Sequence, residues 1–292
     1  MIDIPLDFRL MPRWWTEGHG WLDALPRLVA ERLKTWQLSV DGVVRHGSNA
    51  LVVPVRRNSE LLVLKLTPAD DRFRAELAAL EFWAGRGTVL VLDADVDKGV
   101  LLLERLNAER SAAALPLAEA VPIVAGMMRR LAVPAPAVAT STAAICADRG
   151  PQLRSEWERL ARPFPEVLLT LAEDAADWLR RTHSELAVNA DLHFDQVLRG
   201  NRERWLCVDP LLLRGDIEYD LARILWSRLD EMVDDAEIRR HFHAATIAAG
   251  LDDARAKQWV VFRTMDYWLW GLSHQLTEDP QRCQRLAGAI CQ

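Results

Sequence analysis

The spacing of apolar residues changes once along this 292-residue chain, and that change limits the fold more than any other feature. Up to about residue 105, short runs of valine and leucine follow one another, as in half-buried strands. Residues 40–45, 50–57 and Glu60–Leu66 are three such runs. Gly47-Ser48-Asn49 and Asn58-Ser59 punctuate them, which predicts a meander with tight turns. A helix is expected at about 70–85, opened by Asp70 and Asp71, and two more strands at 89–94 and 99–106. Ahead of the strands, residues 1–25 carry Trp14, Trp15 and Trp21 and predict a short packed helical segment. Residues 24–36 predict a helix with Leu28, Val29 and Leu33 on one face.

From about residue 107 the pattern is mostly helical, broken at Pro134 and Pro136. Its strongest helix is expected at 166–185, with Leu168, Leu171, Ala172, Ala175 and Leu179 on the core face. An irregular stretch, 187–216, holds two short apolar runs, and 217–292 is helical again. The expected class is α+β. A small antiparallel-sheet lobe, 1–105, precedes a larger, mainly helical lobe, 106–292, and a cleft where they meet is a usual place for a ligand.

Half of the residues are apolar, enough for a sizeable core, and the net charge is -6. That balance does not attract nucleic acid or an anionic membrane. The four cysteines form no C-x-x-C pair and are expected to be free thiols in a reducing cytoplasm. The first residues lack the basic start and apolar core of a signal peptide, and no stretch is long enough to span a bilayer. A cytoplasmic protein is expected.

Chemistry concentrates in two clusters. Asn189-Ala190-Asp191-Leu192-His193-Phe194-Asp195-Gln196 follows the long amphipathic helix. Leu206-Cys207-Val208-Asp209-Pro210 comes next, then Gly215-Asp216 and Tyr219-Asp220-Leu221-Ala222. Asp191 and Asp209 each adjoin an apolar run that can hold a carboxylate rigidly. Phosphoryl transfer needs this pair: one carboxylate orients and deprotonates the attacking hydroxyl, and the other holds magnesium against the phosphates. An amide five residues after the base can reach a second metal ion, and Gln196 occupies that place. No Walker-type G-x-x-x-x-G-K-[ST] motif occurs.

These motifs resemble those of the aminoglycoside and hydroxyurea kinase family, the group with streptomycin 6-phosphotransferases. Its loop reads H-G-D-L-H-x-x-N-V-L, followed by W-L-x-I-D-P and G-D-x-x-Y-D-L-A, and all three have counterparts here in the same order. The resemblance extends over roughly residues 40–275. It implies a bilobal protein-kinase-like fold, with ATP (or another nucleoside triphosphate) and Mg²⁺ as cofactors. It implies Asp191 as catalytic base, and Asp209 and Gln196 as metal ligands. Lys65 resembles the strand lysine that grips the α/β-phosphates, and Glu76 the helix glutamate that pairs with it. Ser48 is a candidate phosphate cover, and the backbone at Glu104 and Leu106 a candidate adenine hinge. Glu218, Asp266 and Trp270 are candidates for meeting the acceptor, a small polyol or amino sugar.

Three positions depart from the family pattern: Asn189 for histidine, Ala190 for glycine and Gln196 for asparagine. Ala190 is tolerable where the backbone does not need positive φ. The longer stem of Gln196 is expected to fit magnesium less well than asparagine. The implied activity is phosphorylation of a hydroxyl on a streptomycin-like aminoglycoside. Two readings stand beside it: a kinase for an amino sugar or other small metabolite, and a pseudokinase that binds without turnover.

Overall fold

The computed structural model describes residues 2–11, 14 and 18–291. The chain forms two compact units, Met1–Leu106 and Asn107–Gln292.

The first unit is built on a six-stranded antiparallel sheet. Its strands are β1 (Ser39–Val40), β2 (Arg45–His46), β3 (Leu51–Arg57), β4 (Glu60–Leu66), β5 (Val91–Asp95) and β6 (Val100–Glu104). The order is β1-β3-β4-β6-β5, with β2 also on β3. The expected strand at 40–45 divides into β1 and β2, with Gly42 at φ 150° between them. Side chains alternate across the pleat. Leu51, Val53 and Val55 of β3 and Leu62, Leu64 and Leu66 of β4 therefore share one buried face. That face packs on Leu22, Leu25, Leu28 and Val29 of the helix His19–Thr35, and on Phe8 and Trp14. This helix begins earlier than the expected 24, and Trp15 lies outside the described residues.

Lys65, one position out of phase with Leu64 and Leu66, points to the other side of the sheet. The helix Asp71–Trp83 meets it there through Glu76. Asp70 caps that helix by accepting the Phe73 N–H at 2.9 Å.

The second unit is mainly helical. The helix Asp253–Ser273 packs on Glu166–Leu179 and on Glu278–Ile290, and Asp235–Ala249 packs on Leu117–Leu131. Glu166–Leu179 is shorter than expected, and its buried set is Leu169, Ala172, Ala175, Ala176 and Leu179. Leu168 is half-buried and Leu171 exposed, so the core face is turned toward Leu169 and Ala176. Small antiparallel pairings interrupt the helices: β7 (Asn107–Ser111) with β9 (Val197–Arg199), β9 with β10 (Trp205–Cys207), and β8 (Leu186–Val188) with β11 (Leu213–Gly215). The first element after 106 is thus a strand where a helix was expected. Among the described residues no helix is long and apolar enough to cross a membrane. All four cysteines are free, and Cys146, Cys207 and Cys283 are buried.

Candidate active site

The loop 189–196 leaves β8 and enters β9, so two short ladders fix its ends. Inside it Asn189 is buried, and both ends of its amide are used. Its Oδ1 accepts the Asp191 backbone N–H at 3.1 Å, and its Nδ2 donates to the Cys207 sulfur at 3.2 Å. Burial holds the Cys207 thiol protonated, well above its ordinary range. Ala190 lies at φ 71°, the left-handed region that a Cβ disfavours. Its N–H donates to Asp220 Oδ2 at 3.3 Å. Asp220 is itself buried, and desolvation pushes its carboxyl up to about 7, against the opposing pull of Arg263 and the Ala190 N–H.

Asp191 projects from this braced backbone. Arg223 Nε lies 2.8 Å from its Oδ1, a close ion contact without the alignment of a hydrogen bond. Gln196 Nε2 donates to its Oδ2 at 3.3 Å. Sequence reasoning missed Arg223. The available signal was its place three residues after Asp220, which puts both on one side of the turn that leads into the helix Leu221–Trp226. His193 turns to Asp195 instead, and their contact at 3.4 Å holds the Asp195 carboxyl below its usual range.

The β9–β10 ladder brings the two candidate metal ligands to one end of a hairpin. Val197 pairs with Cys207, and the Val208 N–H donates to the Gln196 carbonyl at 2.8 Å. Asp209 follows at φ 55°, a conformation aspartate tolerates better than most residues. Gln196 Oε1 is buried and has no hydrogen-bond partner among the described residues. A buried amide oxygen without a partner, on the hairpin end that also carries the Asp209 carboxylate, is the oxygen chemistry that magnesium takes. The residues fit the ion.

In the first unit Lys65 Nζ donates to Glu76 Oε1 at 2.5 Å, with both side chains buried. Removing one partner of such a pair leaves a buried charge and costs about 3–5 kcal/mol. Ser48 is exposed in the β2–β3 turn, closed by the Gly47 N–H on the Ala50 carbonyl at 3.0 Å. Glu104 Oε1 accepts the Leu90 N–H at 2.8 Å, and the Glu104 N–H donates to the Leu90 carbonyl at 3.0 Å. Arg105 fastens the same strand end, donating to the Leu62 carbonyl at 3.0 Å and to Asp41 Oδ2 at 2.8 Å. Leu106 is half-buried at the end of this unit.

A family model described as aminoglycoside/hydroxyurea antibiotic resistance kinase matches residues 35–273. The chain belongs to that family. Among its relatives, a streptomycin 6-kinase of Streptomyces glaucescens is 35% identical over 263 residues, 88% of this chain and 86% of the relative. A hydroxyurea phosphotransferase of Kitasatospora aureofaciens is 35% identical over 277 residues, 91% of this chain and 78% of the relative. In three dimensions the chain resembles a thermostable mutant of the aminoglycoside phosphotransferase APH(4)-Ia, solved with AMP-PNP and hygromycin B. That match has a TM-score of 0.63 at 14% identity and covers 92% of this chain and 98% of the other. The fold is the protein-kinase-like one, with an antiparallel sheet in the first unit and a mainly helical second unit.

The three candidate acceptor residues already have partners within the second unit. Glu218 is buried and paired with Arg255 at 2.9 Å, and burial raises its carboxyl above the usual range. Asp266 contacts Arg149 at 2.9 Å. Trp270 is 44% exposed, with ring centroids 5.3 Å from Tyr267 and 4.2 Å from His274. Glu218 and Arg255 tie the turn before Arg223 to the helix that carries Asp266 and Trp270.

Proposed function

We propose that the chain is an ATP-dependent phosphotransferase acting on a hydroxyl of a streptomycin-like aminoglycoside. The observation that carries this reading is the Asp191 carboxylate, anchored through its backbone by Asn189 and through its side chain by Arg223 and Gln196. The 35% identity to streptomycin 6-kinase over most of both chains supports the acceptor class.

In this reading Asp191 accepts a hydrogen bond from the acceptor hydroxyl and fixes its line of attack. The hydroxyl oxygen bonds to the γ-phosphorus as the bond from that phosphorus to the bridging oxygen breaks. ADP leaves, and the hydroxyl proton passes to Asp191 and then to solvent. Asp209 and the Gln196 amide oxygen would hold Mg²⁺, whose charge would offset that of the phosphates. Lys65, kept in place by Glu76, would grip the α/β-phosphates, with Ser48 over them and the Glu104–Leu106 backbone at the adenine. Catalysis is then positioning and charge neutralisation. The 1–105 segment would be the nucleotide-binding part and 106–292 the part that supplies the base and the acceptor site.

The relative that phosphorylates hydroxyurea supports a second acceptor to the same degree. One experiment separates the two. The chain is incubated with ATP and Mg²⁺ and a panel of streptomycin, hygromycin B, hydroxyurea and simple amino sugars, and products are read by mass spectrometry. A phosphate gained by streptomycin supports the proposal. Phosphorylated hydroxyurea alone replaces it with the second reading, and no product from any acceptor refutes both.

A further inference from the structure

A carboxylate on a bare aspartate side chain is loosely aimed, because rotation about its last torsion is broad and two-fold. A base in phosphoryl transfer needs one oxygen directed at the acceptor, and a misplacement of about 1 Å can cost on the order of a hundredfold. Asp191 therefore needs something to choose its carboxylate plane. In this chain each of its oxygens has a side-chain donor group beside it: Arg223 Nε at 2.8 Å from Oδ1, and Gln196 Nε2 at 3.3 Å from Oδ2.

The two are not equivalent. The glutamine contact is long and its donor neutral, while the arginine contact is short and sets a full positive charge beside the carboxylate oxygen. Both partners of the ion pair are largely shielded, with side chains 27% exposed for Arg223 and 18% for Asp191. The helix of Arg223, Leu221–Trp226, starts directly after Asp220, whose Oδ2 accepts the Ala190 N–H. One short segment thus grips the backbone of the loop and, three residues on, its carboxylate.

We propose that Arg223 is a positioning residue for the transfer step, acting through Asp191 by fixing the plane of its carboxylate. The proposal rests on the reading of Asp191 as the base. Arg223 is expected to hold the carboxylate before the acceptor arrives, leaving further lone pairs on both oxygens for the hydroxyl.

The test is a double-mutant cycle on the full chain with ATP, Mg²⁺ and streptomycin, or with whichever panel acceptor takes phosphate. Arg223→Met is expected to lower kcat by roughly 10- to 100-fold while KM for ATP and the melting temperature stay as in wild type. In an Asp191→Asn background the same change should lower the residual rate no further, because there is no ionised carboxylate left to aim. Arg223→Lys keeps the charge and most of the stem, serves as the second variant for the same reading, and should have a kcat between those of wild type and Arg223→Met. A kcat for Arg223→Met or Arg223→Lys at the wild-type level, or losses that multiply in the double variant, would overturn the assignment. Full turnover by Asp191→Asn itself would instead remove the base reading on which it rests.

Discussion

At position 196 a glutamine stands where the family has asparagine, and its surroundings change what the longer stem means. The Nε2 end reaches Asp191, and the Oε1 end is left buried and without a hydrogen-bond partner among the described residues. The side chain thus holds the base with one end and presents an oxygen without a hydrogen bond at the other. Shortening it by one methylene withdraws one end or both. Gln196→Asn is therefore expected to raise the magnesium concentration for half-maximal rate and to lower kcat, the reverse of the expectation from stem length alone. A magnesium titration of both proteins checks this, and a lower requirement in the variant would mean that the loop closes around the shorter amide. Ala190 is simpler. Its φ of 71° does not meet the condition under which alanine is tolerated there. A left-handed alanine costs roughly 1–2 kcal/mol, and glycine gives back part of the relief as chain entropy. Ala190→Gly should stabilise the protein by about 1 kcal/mol, a rise in Tm of about 2–4 °C by calorimetry. A fall in Tm would show that the strain is only apparent. Asn189, by contrast, needs no correction, because Cys207 across the ladder supplies a partner for its amide.

At the scale of elements, the segment 215–223 organises the site. Gly215 lies at φ 147°, and a Cβ there would sit 1.9 Å from the Thr142 hydroxyl oxygen, so the close approach of this strand to the helix Thr142–Arg149 requires glycine. The next N–H, on Asp216, donates to that hydroxyl, and the Asp216 carboxylate accepts from the Trp259 indole at 3.0 Å. Asp220 then carries the loop. The spacing of the motif was legible in the sequence, but the division of labour was not. Asp216 and Asp220 are both aspartates near a helix start, and only packing decides which one meets Ala190.

A buried Asp220 with its carboxyl near 7 also has a thermodynamic consequence. The folded state keeps a proton that the unfolded chain gives up near pH 4, so this group's contribution is full below pH 4 and is lost as pH rises through about 7. Asp220→Asn removes that dependence. Relative to wild type, the variant's Tm should improve steadily between pH 4 and 7, by roughly 1.4 kcal/mol of stability for each pKa unit that separates the two states. A Tm difference independent of pH would contradict the assignment.

Over the whole molecule, the parts of the fold that were legible are those in which one physical cause dominates. The alternation in β3 and β4 fixed which face is core, and it put Lys65 on the opposite face from Leu64, where Glu76 meets it. β7 was missed because Asn107-Ala108-Glu109-Arg110-Ser111 is exposed and has no apolar alternation to read. Its strand character comes from pairing with β9, a long-range contact. The face of Glu166–Leu179 was misjudged because Leu168, Leu169 and Leu171 crowd one turn, and the packing of Asp253–Ser273 selects among them. Motifs marked the candidate base and metal ligands, whereas Arg223 belongs to no motif and is identified by its contact with Asp191. The central claim is that Asp191 is the group that orients and deprotonates the acceptor. It is tested most directly by measuring phosphorylated product from wild type and Asp191→Asn under saturating ATP, with nucleotide affinity measured in parallel. The account predicts a rate lowered by roughly a hundredfold or more with nucleotide affinity unchanged. Turnover within a few-fold of wild type would contradict it.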